Sequence, residues 1–442
     1  MLDGMKFGPV FAVLLAVGLV GCAPQAKEVS TETEVRSQLG AVGAKPESEV
    51  PWDAWRFVAA DLPMDGLWAD ALADPFSQRQ QWSLPAGSKD RAVMLQQLEE
   101  YRKAVLAATP QEGDDPGSAS MFYQQGVSAL VLRSRLLALE GKLPEAVGAA
   151  KECIEIAGKS VTSGVGLQKM DSAPGVLLAA EQAVQLSREP DITESQRNDL
   201  AQTLATISFR EQIAAAVQSE FATAGVERLI ATARVGDDAD DHILTIIARG
   251  DEIDWMKEKL VEHRAEVKDF YDQTATLQLT STWVKLLTQA GDEGWMALET
   301  QMMAMRGSLQ SAWGMDPFAV PVEDWNAERM RDAMRQHANA GGIAVAWDVV
   351  GAMIPSVESA FLTDASLQAA IVSLLAPPSE KVTEAELRKR FSAVTGRDLL
   401  DPLTGQQSLV DEANRVLKSP RTDPLPENFL LMRAYQQGGL PY

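Results

Sequence analysis

Few side chains in this sequence are equipped for chemistry. The three histidines are His242, His263 and His337, and the two cysteines are Cys22 and Cys153. No histidine pair occurs as H-E-x-x-H, the spacing that sets two imidazoles and a base on one helical face. His263 lies in EKLVEHRAEVKD, where Glu262, Glu266 and Asp269 fall on neighbouring helical positions, and a charged, solvated face is the expected role. The acidic string DDADDH invites a calcium loop starting at Asp238. Such a loop needs glycine at its sixth position and glutamate at its twelfth, and this chain has Ile243 and Arg249 there. No metal ligand is assigned.

Nucleophilic chemistry has no better support. There is no G-x-S-x-G, and no lysine follows a serine by three positions. SGVGLQK holds Gly164 and Gly166 but lacks the third glycine and the preceding strand of a phosphate cradle. With 62 acidic residues, paired carboxylates are trivial to find and so discriminate nothing. Cys153 lies on the apolar face of an expected helix, with no histidine near it in sequence, and reads as a buried, inert thiol. No catalytic or cofactor-binding residue is therefore assigned. Nine of the ten tryptophans fall in two groups: Trp52, Trp55, Trp68 and Trp82, then Trp283, Trp295, Trp313, Trp325 and Trp347. They would serve either as a stacking surface for glycan or peptide or as filling between helices, and filling is expected.

Cys22 has a different setting. It follows the apolar run Phe7–Val20, too short for the roughly 20 residues of a bilayer span but suited to the core of a secretory signal. If Met5 is the start, Lys6 supplies the positive leading segment. Leu19-Val20-Gly21-Cys22 resembles the lipobox of bacterial lipoproteins. That resemblance implies cleavage before Cys22, acylation of its sulfur and membrane attachment, and stable anchoring does require more than one acyl chain. Ala23, where inner-membrane members often carry aspartate, implies the outer membrane, facing the periplasm. Residues 23–50 have few large apolar groups and read as a flexible tether of ~30 Å average span.

The formal charge of −22 opposes nucleic-acid binding and broad contact with anionic lipid. Apolar content of 46% and charged content of 23% are those of a globular body. No stretch beyond the signal reads as long enough for a membrane span.

Helical periodicity dominates from residue 90 onward. DRAVMLQQLEEYRKAVLAA places Val93, Leu95, Leu98, Tyr101 and Val105 on one expected face. A helix ending near Glu140, the breaker Gly141 and a second helix opened by Pro144 make an αα-hairpin. The order Ser134, Leu137, Gly141, Ala146, Ala150, Cys153 is similar to half of a tetratricopeptide signature, in which small residues let two helices pack closely. No 34-residue recurrence accompanies it. Ser172 is expected to cap a helix with Pro174 in its first turn, and Thr193 with Gln196 forms a capping box. A helix is expected over 209–234, followed by a boundary at VGDDADDH, helices at 242–262, 264–290 and 293–312, and two more around Pro355. TGRDLLDPLTGQQSLV near the C-terminus resembles a group of secreted bacterial helical proteins of unassigned activity, which end in a DPFTGxPL turn and a short strand.

The sequence thus predicts an all-α fold, a helical hairpin array or bundle with a short β ribbon near the C-terminus. The organisation is a signal over 1–21, a tether over 22–50, and helical domains over 51–235 and 236–442. The expected function is a lipid-anchored envelope protein whose helical body binds or scaffolds an envelope protein partner. The alternatives are a glycan- or peptide-processing lipoprotein enzyme and a solute-binding lipoprotein.

Overall fold

Helices form wherever apolar residues recur at three- and four-residue spacing, and they account for nearly every element of the computed structural model. It describes residues 32–44, 89–107, 116–163, 166–234, 271–320, 327–378, 380–425 and 429–442. The signal, Cys22, the DDADDH string, His242, His263 and Trp52, Trp55, Trp68, Trp82 and Trp325 lie outside them. In chain order the helices are α1 (Glu32–Leu39), α2 (Lys89–Ala107), α3 (Pro116–Leu139), α4 (Leu143–Ser163), α5 (Ala173–Ser187), α6 (Glu194–Ala205), α7 (Ile213–Glu220) and α8 (Val226–Arg234). They continue as α9 (Gln273–Glu293), α10 (Trp295–Trp313), α11 (Ala327–Met334), α12 (Ala340–Gly351), α13 (Ile354–Leu375), α14 (Glu384–Thr395) and α15 (Leu430–Gly438). Strands β1 (Leu409–Asp411), β2 (Val416–Lys418) and β3 (Leu440–Pro441) form an antiparallel ribbon in that order. Leu409 faces Lys418 across its first pair, and Leu417 faces Leu440 across the second. The fold is all-α with a short C-terminal ribbon.

Two compact units divide the chain, and neither is a continuous segment. The first unit draws on Met1–Pro46, Val217–Gln289 and Ala297–Ile354; the second draws on Glu47–Ala216, Ala290–Met296 and Pro355–Tyr442. The expected boundary at VGDDADDH is among the residues not described.

In the first unit, part of the expected tether is folded. Val35, Leu39 and Val42 are four and three apart and all buried, so α1 and the 3-10 turn after it have an apolar face worth ordering. Arg36 fixes the segment, pairing with Glu32 at 2.8 Å and donating to the carbonyls of Gly43 (3.0 Å) and Ala222 (2.7 Å). The helix expected over 209–234 is not continuous. It runs as a 3-10 turn at Arg210–Gln212, then α7, a π-turn at Phe221–Gly225, and α8. Gly225 permits the π-turn, since a Cβ there would lie 2.5 Å from the Phe221 ring. Trp283 and Trp313 are fully buried; Trp283 meets Trp347 edge-on at 6.4 Å, and the Trp313 indole N–H donates to the Ala340 carbonyl at 2.8 Å.

In the second unit, α3, α4 and α5 pack as a three-helix layer beside α2. The buried face of α2 is Met94, Leu98, Tyr101 and Val105. Val93, expected on that face, is 54% exposed because it lies about 100° round the helix from Met94. Small residues bring α3 against α4: the Ser134 hydroxyl donates to the Ala146 carbonyl at 2.8 Å, and the Cys153 thiol to that of Val127 at 3.9 Å. Arg102 pairs with Glu99 and Glu152, and Arg133 with Glu99 (2.7 Å), tying α2, α3 and α4 through one charge network. The Thr193–Gln196 capping box is present, with the Gln196 N–H donating to Thr193 Oγ1 at 3.3 Å and the Thr193 N–H to Gln196 Oε1 at 2.9 Å. Ser172 does not cap α5. Its backbone is already helical (φ −73°, ψ −11°), and its hydroxyl donates back to the Lys169 carbonyl at 2.6 Å.

The span Ala340–Leu375 corrects the expectation that no later stretch is long and apolar enough for a membrane. By length and composition it qualifies, with 61% of its most apolar window buried within the protein. It comprises α12 and α13, separated just before Pro355, and residues such as Val345, Val350, Phe361 and Val372 are core side chains.

Candidate functional site

A recess lies in the second unit, at the C-terminal ends of α3 and α5. It has a volume of about 210 Å³ and is lined by Arg135, Ala138, Leu139, Gln182, Gln185, Leu186 and Glu189. Helical spacing explains how they meet. Arg135, Ala138 and Leu139 follow one face of α3, and Gln182, Gln185, Leu186 and Glu189 one face of α5 and the residues just beyond it. The floor is fixed by a buried polar contact in which Gln182 Nε2 donates to Ser134 Oγ at 3.0 Å, while Ser134 donates onward to Ala146. A satisfied buried network of this kind rigidifies the packing around it. Leu139, 49% exposed, stands at the rim with Gln185 and Glu189, whereas Gln182 and Leu186 are buried. Amides, a guanidinium, a carboxylate and leucines can hydrogen-bond a polypeptide backbone and bury a side chain. They hold no nucleophile.

A second polar cluster lies within the same unit. Asp364 on α13 accepts the N–H groups of Phe209 (2.7 Å) and Arg210 (3.1 Å) and the hydroxyl of Ser208 (3.0 Å). Ser208 Oγ in turn accepts the Glu211 N–H at 3.4 Å, closing the 3-10 turn. Arg210 continues the cluster: its guanidinium donates to the carbonyls of Gly291 and Asp292 and lies 5.6 Å from the centre of the Phe361 ring. Only glycine fits at 291, because a Cβ there would lie 2.6 Å from the Arg210 carbonyl oxygen. Phe361 packs edge-on against Trp295 at 5.6 Å, and Trp295 against Phe429 at 5.0 Å. Loss of hydration raises the Asp364 carboxyl to about 6, against the opposing pull of its three donors and Arg210.

A third cluster holds the DPLTG turn. Asp401, 1% exposed, accepts the Thr404 N–H (2.9 Å), the Thr404 hydroxyl (2.7 Å), the Ser419 hydroxyl (2.9 Å) and the Tyr435 hydroxyl (2.7 Å). This ties the turn to the residue after β2 and to α15. Burial next to Asp401 pushes the Tyr435 phenol up, so it stays a donor.

The residues singled out by sequence take structural places where they are described. Cys153 is 1% exposed, and burial raises its thiol far above the usual range, so it carries no thiolate. His337 meets Ser311 Oγ at 3.1 Å on the surface. Gly166, with φ +53°, sits between α4 and a single helical turn at Gln168–Asp171, where no strand precedes it. Trp283, Trp295 and Trp313 are core filling. Among the described residues, no three His, Cys, Asp or Glu side chains converge as metal ligands. Of the recess, sequence reading singled out only Ser134, on its small size. Gln182 carried no signal of its own, although a glutamine on the apolar face of a helix is the mark of a buried polar contact.

No family model matches this chain, and neither a curated protein nor a solved structure does so.

Proposed function

We propose that this chain is an envelope lipoprotein, anchored through Cys22 to the outer membrane and facing the periplasm, whose helical body binds a segment of a protein partner. The recess of α3 and α5 carries this reading. A volume of about 210 Å³ falls below the roughly 300–1,000 Å³ of small-molecule sites and suits a single side chain of a docked polypeptide. Its amide and charged rim supports recognition of backbone and polar groups around that side chain. The lipobox-like Leu19-Val20-Gly21-Cys22 supports attachment, which would confine the recess to a layer beside the membrane and raise its effective concentration there.

In-cell photocrosslinking tests both halves. A photoreactive residue at Gln185 should give a discrete adduct with an envelope protein, and one at the exposed Lys103 on α2 should not. Leu139→Asp should abolish the adduct, and Cys22→Ser should release the protein from the membrane. Equal adducts from both positions, or an adduct indifferent to Leu139→Asp, would refute the recess as the binding site. Membrane retention of Cys22→Ser would refute the anchor.

A further inference from the structure

We propose that α1 clamps the tether from Cys22 to the first unit, so that only residues 23–31 separate the lipid from the folded body. This rests on the attachment through Cys22 proposed above. The clamp is built from groups that α1 cannot satisfy alone. A helix of eight residues is marginal in water by itself, so α1 is helical because the unit holds it. Val35 and Leu39 are 0% and 1% exposed, which takes the apolar face of α1 out of water. Gly40, at φ +64°, turns the chain so that Val42 is buried too and the Gly43 carbonyl accepts from Arg36 at 3.0 Å.

Two hydrogen bonds carry the clamp to elements distant in sequence. Arg36 Nη1 donates to the Ala222 carbonyl, within the π-turn before α8, at 2.7 Å. Ser281 Oγ on α9 donates to the Leu39 carbonyl at 3.2 Å, meeting one of the acceptors that a helix end leaves open. Folding of α1 and its docking are thus one event. What the clamp controls is reach. A free tether over 23–50 would extend to about 100 Å, whereas the nine residues 23–31 extend to about 35 Å. Docked α1 therefore keeps the surface that carries it within that shorter distance of the membrane. The exposed side chains of α1, Thr33, Glu34, Ser37 and Gln38, include no cation, so the tether and not attraction to anionic head groups sets the distance.

Energy transfer from the protein to labelled lipid tests this on the intact, lipid-bearing chain in phosphatidylcholine vesicles. The donor is attached through Lys285→Cys, an exposed position on α9 one turn from Ser281. Cys153 is buried and Cys22 acylated, so neither takes the label. A Gly/Ser insertion of about 20 residues is then placed on either side of α1. Between Glu28 and Val29 it lengthens the tether from roughly 17 Å to roughly 30 Å on average, and transfer should fall about two-fold. Between Ala44 and Lys45 it lies beyond the clamp, and transfer should not change. Val35→Asp, which releases α1, should make the second insertion act like the first. Equal losses from the two insertions in the native sequence, or no loss from either, overturn the clamp. A second insertion that stays silent in Val35→Asp overturns the role given to the apolar face of α1. Flotation of the same vesicles separates the two claims. A chain that does not float refutes the anchor and the clamp together, and one that floats while both insertions act alike refutes the clamp alone.

Discussion

Asp364 and Asp401 belong to the same unit, and each gathers several hydrogen bonds, but the groups around them differ in kind. Asp401 is sealed from solvent and accepts three hydroxyls and a single N–H, all from the last stretch of the chain. Asp364 is partly exposed and accepts two N–H groups and a hydroxyl from residues more than 150 positions away. Hydroxyls rotate and can accept as well as donate; backbone amides cannot. One carboxylate is thus the centre of an adaptable knot, and the other is a fixed acceptor for two main-chain donors.

The largest contrast should come from truncation. Asp401→Ala leaves a phenol, two hydroxyls and an N–H in a site closed to water, and should cost roughly 3–5 kcal/mol of stability. Asp364→Ala lets water reach part of the vacated site and should cost about 2 kcal/mol. Urea denaturation of the two variants measures both. Equal losses would mean that exposure does not separate the two sites.

Asparagine should reverse the order. In Asp401→Asn the side-chain oxygen can serve Thr404 and Ser419 while the amide nitrogen donates to Tyr435, whose hydroxyl turns to accept, at a cost of about 1 kcal/mol. In Asp364→Asn either orientation sets NH2 against a main-chain N–H, at a cost of about 2 kcal/mol. Denaturation midpoints showing Asp401→Asn as the more damaged variant would contradict the assignment of donors.

The contrast also explains what could be read from sequence. DPLTG announces its turn, because aspartate, proline and glycine in that order favour one local geometry, and its donor Thr404 is three residues away. The Thr193 capping box and the hairpin at Gly141 were legible for the same reason: each is decided within a few positions. Asp364 sits in FLTDASLQ, which reads as an ordinary helix with a solvated aspartate, and nothing local points to Ser208. The recess is hidden in the same way, since Gln182 and Ser134 meet only after α5 folds back on α3. The tether reading missed α1 because Val35, Leu39 and Val42 are too few to justify a helix until the surface they bury against is known.

A smaller effect is the pH dependence of stability. Burial holds the folded carboxyl of Asp364 at about 6, above the ordinary aspartate value of 3.8. Protonation is therefore favoured by folding, and this group's contribution is full below about 3.8 and is lost as pH rises through 6. A shift of this size corresponds to no more than ~3 kcal/mol, and its partial exposure reduces that to roughly 1–2 kcal/mol. Between pH 7.5 and pH 4, the native protein should gain stability relative to Asp364→Asn by that amount. A gap that stays constant, or that moves the other way, would show that Asp364 titrates alike in folded and unfolded chains.

The smallest effect concerns a polar group with neither kind of partner. Tyr101 on α2 is 4% exposed, and its hydroxyl oxygen is buried without a hydrogen-bond partner among the described residues, in contrast to Tyr435, which gives its proton to Asp401 at 2.7 Å. Desolvation alone raises the Tyr101 phenol, with no neighbouring charge contributing. Removing an unsatisfied hydroxyl relieves its desolvation cost and leaves the ring packing intact, so Tyr101→Phe should be neutral or should stabilise by up to ~1 kcal/mol. Tyr435→Phe removes a satisfied donor and leaves Asp401 one partner short, and should destabilise by about 1–2 kcal/mol. The two substitutions delete the same atom from the same residue type within one unit. Opposite signs in thermal denaturation would show that the partner, and not burial, sets the value of a buried hydroxyl here. A loss from Tyr101→Phe as large as that from Tyr435→Phe would mean that Tyr101 has a partner in solution, such as an ordered water.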